Sequence, residues 1–236
     1  MPYDDQLYAQ DDTPSLVNMT SKALDILMER GKDKGFFLMV EGGRIDHANH
    51  YAMGTRALSE TLAMDRAVEE IVKRVRGEET LIIVTADHSH TLSVGGYPGR
   101  TADIGGVVRG DSGWVMKADD GQPMSILQYA NGPGFKKLMV KDNSDTTSWQ
   151  GIHRAGELQV NEVAEPDHVF PGAIPLDKET HGGDDVGVWA RGPWAHLIHG
   201  VHEQSFLGHV MSYAACIGPN KRHYMRNPSC GNRLYG

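Results

Sequence analysis

Two short, continuously apolar runs constrain the fold of this 236-residue chain more than any other feature. They are residues 35–40 (GFFLMV) and residues 80–86 (TLIIVTA). Continuous apolar runs of this length are typical of strands that are buried on both faces of a sheet. Between them, apolar residues recur at helical spacing over residues 49–75. This strand–helix–strand order predicts an α/β fold with a mostly parallel central sheet flanked by helices.

Further elements follow from local signals along the rest of the chain. Pro14 and Ser15 open a segment with helical spacing that Gly31 closes. A short apolar run predicts a strand at residues 186–190, and a last helix is predicted at about residues 203–216. Residues 95–179 are rich in Gly, Pro, Asp and Ser, which predicts a small β-rich insertion. We therefore predict core residues 1–94, an insertion at 95–179, further core at 180–218 and a polar tail at 219–236.

Charge and hydropathy exclude several classes of function. The formal net charge is −8, from 23 basic and 31 acidic side chains, which argues against binding to the phosphate backbone of nucleic acids. The apolar runs are too short to span a bilayer, and neither end of the sequence reads as a signal peptide or a lipid-anchor signal. Two cysteines, Cys216 and Cys230, are compatible with one disulfide or with a reduced pair.

Three polar clusters lie next to the predicted strands. The first follows residues 35–40, the second follows residues 80–86, and the third precedes the strand at 186–190. In open α/β sheets, ligands bind at the carboxyl ends of strands. The candidate side chains are Glu41, Asp46 and His50, then Asp87, His88 and His90, and then His181 beside Asp184 and Asp185.

The residue types in these clusters indicate metal binding. Asp46 and His50 are four residues apart, so a helical turn would place them on one face as an oxygen and nitrogen pair for a divalent ion, most simply zinc. One tetrahedral zinc takes about four ligands, so the whole set is large enough for a multinuclear site. Each cluster also has a simpler interpretation: a surface pair for Asp46 and His50, a helix cap for Asp87, and a loop histidine for His181.

A second histidine series has helical spacing, but the residues around it do not favour a regular helix. His196, His199 and His202 recur every three residues, which resembles a metal-binding helix face. The stretch begins with Gly192 and Pro193 and is interrupted by a further glycine, so a loop or an irregular helix start is the better interpretation. We expect these histidines to have structural or surface roles.

Taken together, five motifs resemble those of the animal alkaline phosphatases. They are VEGGRIDHANH, VTADHSHTLSVGGY, NGPGF, ETHGGDDV and HLIHGVHEQSFLGHVMSYAACIG, in family order and at family-like spacing. The resemblance extends from about Pro14 to Gly218 and implies the alkaline phosphatase fold, in which residues 95–179 are similar to the crown region. It also implies hydrolysis of phosphate monoesters at alkaline pH, a homodimer and an extracellular or cell-surface location.

The resemblance further implies two zinc ions and one magnesium ion per subunit. Asp46, His50 and His181 match the ligands of the first zinc. Asp87 and His88 match part of the second zinc site, and Glu41 matches a magnesium ligand. His90 matches a residue that orients a zinc-bound carboxylate from outside the metal shell.

Some of the family's catalytic residues have no counterpart in this sequence. In the family, a serine alkoxide attacks phosphorus to give a phosphoserine, and the two zinc ions stabilise the attacking and leaving oxygens. The motif of that serine, the phosphate-binding arginine and a bridging aspartate have no match here, and Thr13 occupies the place of a calcium-binding aspartate. We therefore expect no catalytic residue in this chain, which we interpret as a C-terminal fragment that is inactive alone.

Two other hypotheses stay open at this stage. The chain could be a degenerate or truncated family member that binds zinc without catalysis. It could also be an unrelated metal-dependent hydrolase that uses a local serine or water, which would require activity with one complete zinc site. Cys216 matches a family cysteine whose usual partner lies closer in sequence than Cys230.

Overall fold

The computed structural model describes residues 1–7, 12–32, 34–135, 138–140, 152–154, 160 and 163–218. Its α-helices are α1 Leu16–Arg30, α2 Gly43–His50, α3 Gly54–Arg74 and α4 Ser205–Ala215, with 3-10 turns at Asp4–Gln6 and Ala195–Leu197. Its strands are β1 Ile82–Thr85, β2 Ser89–His90, β3 Leu92–Val94, β4 Leu127–Gly132, β5 Leu138–Val140, β6 Ile152–Arg154, β7 Gly172–Pro175, β8 His181–Gly182 and β9 Val188–Arg191.

The chain divides into two compact units, each built from three segments. The first unit comprises Met1–Thr13, Gly42–Ala63 and His88–Asp184. The second unit comprises Pro14–Glu41, Met64–Asp87 and Asp185–Gly236. Helix α3 contributes its first ten residues to the first unit and the remainder to the second.

The first unit has its core on a three-stranded sheet of order β3-β4-β7. Strand β3 is antiparallel to β4, and β4 is parallel to β7. The buried residues of this core are Ala52, Val107, Leu127, Tyr129, Val163 and Phe170. A second ladder in the same unit pairs β2 with β8 in antiparallel register, and a third pairs β5 with β6.

The helical segment predicted at residues 49–75 contains a break. The turn after α2 includes Ala52, which is fully buried and has a φ of 55°, a left-handed conformation that ends α2. Its carbonyl accepts the backbone N–H of Phe170 at 2.8 Å, so the turn is fixed to the core. Helix α3 then begins at Gly54, where an added Cβ would lie 2.8 Å from Leu127.

In the second unit, α1 begins and ends where the sequence predicts. The Ser15 side chain accepts the backbone N–H of Asn18 at 3.2 Å, and Gly31 caps the other end. Arg74, at the end of α3, donates to the backbone carbonyl of Ser21 at 2.9 Å and pairs with Asp25 at 2.5 Å. The predicted strand and last helix of this region are present as β9 and α4. Strand β9 pairs with β1 in antiparallel register.

The predicted strand at residues 35–40 is wrong. The segment is extended but belongs to none of the described ladders, and Phe37 and Met39 are 69% and 81% exposed. A strand needs a neighbour that satisfies its backbone N–H and C=O groups, and none of the described strands pairs with this segment. The apolar run is therefore not buried on both faces.

The α/β class is correct, while the strand orientations differ from the expectation. Of the ladders between described strands, only β4 with β7 is parallel. Cys216 is disulfide-bonded, and Cys230 lies outside the described residues, as does the predicted polar tail. Among the described helices, none is both long enough and apolar enough to cross a bilayer.

Candidate metal centre

Helix α2 places two of the predicted ligands in the first unit. Asp46 and His50 are one turn apart on this helix, and Asp46 Oδ1 lies 3.2 Å from His50 Nε2. The spacing of four residues brings both side chains to one face, as the sequence predicts. The carboxylate and the ring are each about a quarter to a third exposed, so a solvated ion can reach them.

The short β2–β8 ladder supplies the next side chains of the same unit. His90 and His181 are opposite each other in its register. Both project toward Asp46, whose Oδ1 lies 3.1 Å from His90 Nε2 and 3.2 Å from His181 Nε2. A residue pair that is 91 positions apart in sequence is thus brought to one carboxylate by a two-residue strand pairing.

Three of these atoms form a nearly equilateral triangle. Asp46 Oδ1, His50 Nε2 and His181 Nε2 are each 3.2 Å from the other two. In a tetrahedral zinc site with metal–ligand distances of about 2.0–2.1 Å, neighbouring ligand atoms lie ~3.3 Å apart. Two imidazole nitrogens and one carboxylate oxygen are a zinc-type donor set, whereas magnesium prefers oxygen alone. The three residues therefore fit a zinc ion.

Backbone carbonyls orient two of the histidines. His50 Nδ1 lies 2.6 Å from the carbonyl oxygen of Glu179, and His88 Nδ1 lies 3.1 Å from that of Ser89. When each Nδ1–H donates to its carbonyl, the lone pair is left on Nε2. This tautomer is the one that a metal ligand bonding through Nε2 requires.

His88 lies at the margin of the triangle. Its Nε2 is 3.8 Å from Asp46 Oδ1, and its ring stacks on that of His181 with centroids 3.4 Å apart. One ligand atom from each of Asp46, His88, His90 and His181 lies within 4.8 Å of the others. His88 is thus next to the triangle without belonging to it.

Glu179 is the residue of this cluster that the sequence did not single out. Its side chain is fully buried, and its Oε2 lies 2.7 Å from His90 Nδ1. Its Oε1 accepts the backbone N–H and the hydroxyl of Thr91 at 2.6 and 2.7 Å. An acidic residue between Lys178 and Thr180 is typical of an exposed loop, and the available signals are its place two residues before His181 and at the start of the ETHGGDDV motif.

Tyr129 connects helix α2 to the core of the first unit. Its hydroxyl donates to Asn49 Oδ1 at 2.8 Å, and Asn49 in turn donates to the carbonyl of Ile45 at 3.1 Å. Burial, and secondarily the charge of Glu179, raise the pKa of the Tyr129 phenol above its usual value. Tyr129 therefore keeps its proton and remains a donor that holds the helix carrying Asp46 and His50.

The other predicted ligands belong to the second unit. Glu41 ends the extended segment before α2, and Asp87 follows β1. They are not among the side chains that the structure gathers within the first unit, and their roles stay predictions. His196, His199 and His202 lie in a 3-10 turn and the loop after it, where His202 Nε2 donates to the carbonyl of His199 at 2.7 Å, and none belongs to a metal-ligand group of the described residues.

Comparison with known proteins shows the family of this chain. The model of the alkaline phosphatase family matches residues 3–217. The human tissue-nonspecific alkaline phosphatase is 42% identical over 94% of this chain and 39% of its own length. An alkaline phosphatase of Gadus morhua is 40% identical over 94% of this chain and 42% of its own. Alkaline phosphatase 4 of Drosophila melanogaster is 40% identical over 88% of this chain and 34% of its own.

A solved structure shows the fold independently of close sequence similarity. A mutant of the TAB5 alkaline phosphatase, with magnesium bound in its M3 site, matches 92% of this chain and 45% of its own with a TM-score of 0.50 at 18% identity. The chain thus spans about two fifths of the length of the curated relatives it matches. Because the family model covers nearly the whole sequence and relatives share two residues in five with it, this chain belongs to the alkaline phosphatase family.

Proposed function

We propose that this chain provides the first zinc site of an enzyme that hydrolyses phosphate monoesters at alkaline pH. The observation that supports this most strongly is the triangle of Asp46, His50 and His181, whose ligand atoms have the spacing of one face of a zinc tetrahedron. Family membership supports the reaction class.

The residues have separate roles in this proposal. Asp46 supplies a negative oxygen that partly offsets the charge of the ion, while His50 and His181 supply neutral nitrogens. When bound there, zinc provides a Lewis acid that stabilises negative charge on an ester oxygen. The net positive centre also attracts a phosphate dianion to a chain whose formal charge is −8.

The finer assignments come from the family resemblance. We propose Asp87 and His88 as ligands of a second zinc and Glu41 as a magnesium ligand. No residue of this chain has the role of the nucleophilic serine, so we expect the chain by itself to bind zinc without turnover. A homodimer and an extracellular or cell-surface location are proposed on the same basis.

The test is a zinc titration of the whole chain with a competing chromophoric chelator, combined with an aryl phosphate assay at alkaline pH. We expect His181→Ala to weaken zinc binding by more than about 100-fold, since even outer-shell substitutions cost about 10–100-fold. His196→Ala is the matched control, because His196 lies in a 3-10 turn away from the triangle residues in sequence. Unchanged zinc affinity in His181→Ala would refute the site.

The activity assay separates the two family-based hypotheses, which both expect an inactive chain, from a hydrolase that uses a local serine or water. Absence of turnover with zinc and magnesium present agrees with a chain that supplies one metal site and no nucleophile. Turnover that His181→Ala abolishes would instead show that the serine is dispensable, and it would refute the proposed inactivity of the isolated chain.

A further inference from the structure

We propose that Glu179 is a positioning residue, which sets the orientation of His50 and His90 around Asp46. The proposal rests on the proposed zinc site, because it assigns a role to a residue that contacts the predicted ligands and whose carboxylate is not one of the triangle atoms. It makes Glu179 necessary for tight zinc binding through two separate groups, its carboxylate and its backbone.

Both oxygens of the carboxylate have hydrogen-bond partners. Oε1 accepts two hydrogen bonds from Thr91, at 2.6 Å from the backbone nitrogen and 2.7 Å from the hydroxyl. Oε2 lies 2.7 Å from His90 Nδ1 and accepts from it when that nitrogen carries the ring proton. The side chain is fully buried, so water cannot replace these partners without a change in the structure. The His90 ring is thereby held with Nε2 toward Asp46 Oδ1, at 3.1 Å.

The backbone of Glu179 fixes His50 at two points. The N–H of Glu179 donates to the carbonyl of His50 at 2.8 Å, and the carbonyl of Glu179 accepts from His50 Nδ1 at 2.6 Å. The last residue of α2 is therefore bound both by its backbone and by its ring. This arrangement aims His50 Nε2 at the triangle.

Hydrogen bonds of the next residue, Thr180, hold Glu179 in place. The backbone N–H of Thr180 donates to Asn131 Oδ1, and Asn131 Nδ2 donates to the Thr180 hydroxyl, both at 2.9 Å. Asn131 belongs to β4, which pairs with β7 in the core sheet of the first unit. Glu179 is thus fixed to the same sheet that holds α2 through Tyr129.

A glutamine at this position has the right shape and the wrong hydrogen-bonding pattern. An ionised carboxylate only accepts, whereas an amide presents one accepting oxygen and two N–H donors. In Glu179→Gln the NH2 group must face either Thr91, where it opposes two donors, or His90, where Nδ1 can accept only if the ring proton moves to Nε2. The backbone bonds to His50 are unchanged by this substitution.

The experiment compares Glu179→Gln with Glu60→Gln in the full chain. Glu60 is the matched control, since it is a buried carboxylate of the first unit that accepts a backbone N–H from Asp4. The first measurement is the 15N spectrum of the imidazole nitrogens in the metal-free chain. The second is zinc affinity by chelator competition.

In the wild-type chain we expect both His50 and His90 to carry a proton on Nδ1. In Glu179→Gln the His90 signal should change while that of His50 is retained, and zinc affinity should fall by about 10–100-fold. Glu60→Gln should change neither the two histidines nor zinc affinity. A lower thermal midpoint in Glu179→Gln with unchanged His90 signals and unchanged zinc affinity would mean a merely structural role and would overturn the proposal.

The two readouts keep this proposal separate from the proposed function. If the wild-type chain binds no zinc, the proposed zinc site fails, and the metal-free spectra still decide whether Glu179 orients the rings. If Glu179→Gln does not fold, the wild-type spectrum alone is decisive, because a His90 ring without a proton on Nδ1 contradicts the assigned hydrogen bond.

Discussion

Glu60 shows what burial does to a single carboxyl group in the first unit. It is 5% exposed, and its Oε1 accepts the backbone N–H of Asp4 at 2.5 Å. Burial is the main cause that raises its pKa above the usual 4.5, and the charges of Asp4 and Asp5 raise it further. The native state therefore binds this proton more tightly than the unfolded chain does.

The sign of the effect on stability follows from this linkage. The folded pKa lies above the unfolded value of 4.5. As the pH rises from 4.5 through the folded pKa, ionisation of Glu60 therefore lowers the free energy of unfolding, and this loss is complete above the folded pKa. We predict that Glu60→Gln raises the free energy of unfolding at pH 7–8 and that the gain disappears toward pH 4. Urea unfolding over this pH range measures it, and a gain that persists at pH 4 would contradict the assignment.

Single residues also show which features of the site can be predicted from sequence and which cannot. Asp46 and His50 could be paired from sequence because helical spacing is a local property. Glu179 could not be recognised, since its burial depends on Thr91 and His90, which are about 90 positions away. A buried carboxylate without partners would be unfavourable, so only the fold reveals that this one is satisfied.

At the scale of elements, the ends of α1 were predictable because capping is local. The Ser15 side chain accepts from Asn18, and Gly31 closes the helix. We predict that Ser15→Ala lowers the free energy of unfolding by about 1 kcal/mol. Ser15→Asp is the control, because aspartate also caps helices and should restore stability to within a few tenths of a kcal/mol. Equal losses in both variants, measured by denaturant unfolding, would exclude the cap.

The segment at residues 35–40 could not be predicted from its composition. Its apolar character suggested a strand buried on both faces, but strand formation depends on a partner elsewhere in the fold. Two of its side chains, Phe37 and Met39, are mostly exposed instead. The predicted helices succeeded where this strand failed because helical hydrogen bonds lie within the segment itself.

Exposure of this segment has a measurable consequence. We predict that Phe37→Ser with Met39→Ser changes the free energy of unfolding by less than about 0.5 kcal/mol, as is usual for surface positions. Leu24→Ala, at a position of α1 that is 1% exposed, should cost about 2–5 kcal/mol and serves as the control. A loss of more than about 2 kcal/mol in the double variant would show that these side chains are packed.

On the scale of the whole molecule, the sequence motifs predicted the family, which the comparisons show. Asp46, His50, His90 and His181 come together because each lies on α2 or on the β2–β8 ladder of the first unit. The orientation of most strands could not be read from apolar runs, since burial does not specify direction. The roles of Glu41 and Asp87, in the second unit, still rest on the family resemblance.

The central claim is that Asp46, His50 and His181 form a zinc site, and X-ray absorption at the zinc edge tests it most directly. With one equivalent of zinc on the full chain, we predict a four-coordinate shell of nitrogen and oxygen at about 2.0–2.1 Å that includes two imidazole rings. In His181→Ala one imidazole contribution should disappear. A spectrum without imidazole scattering, or one that His181→Ala leaves unchanged, would contradict the account.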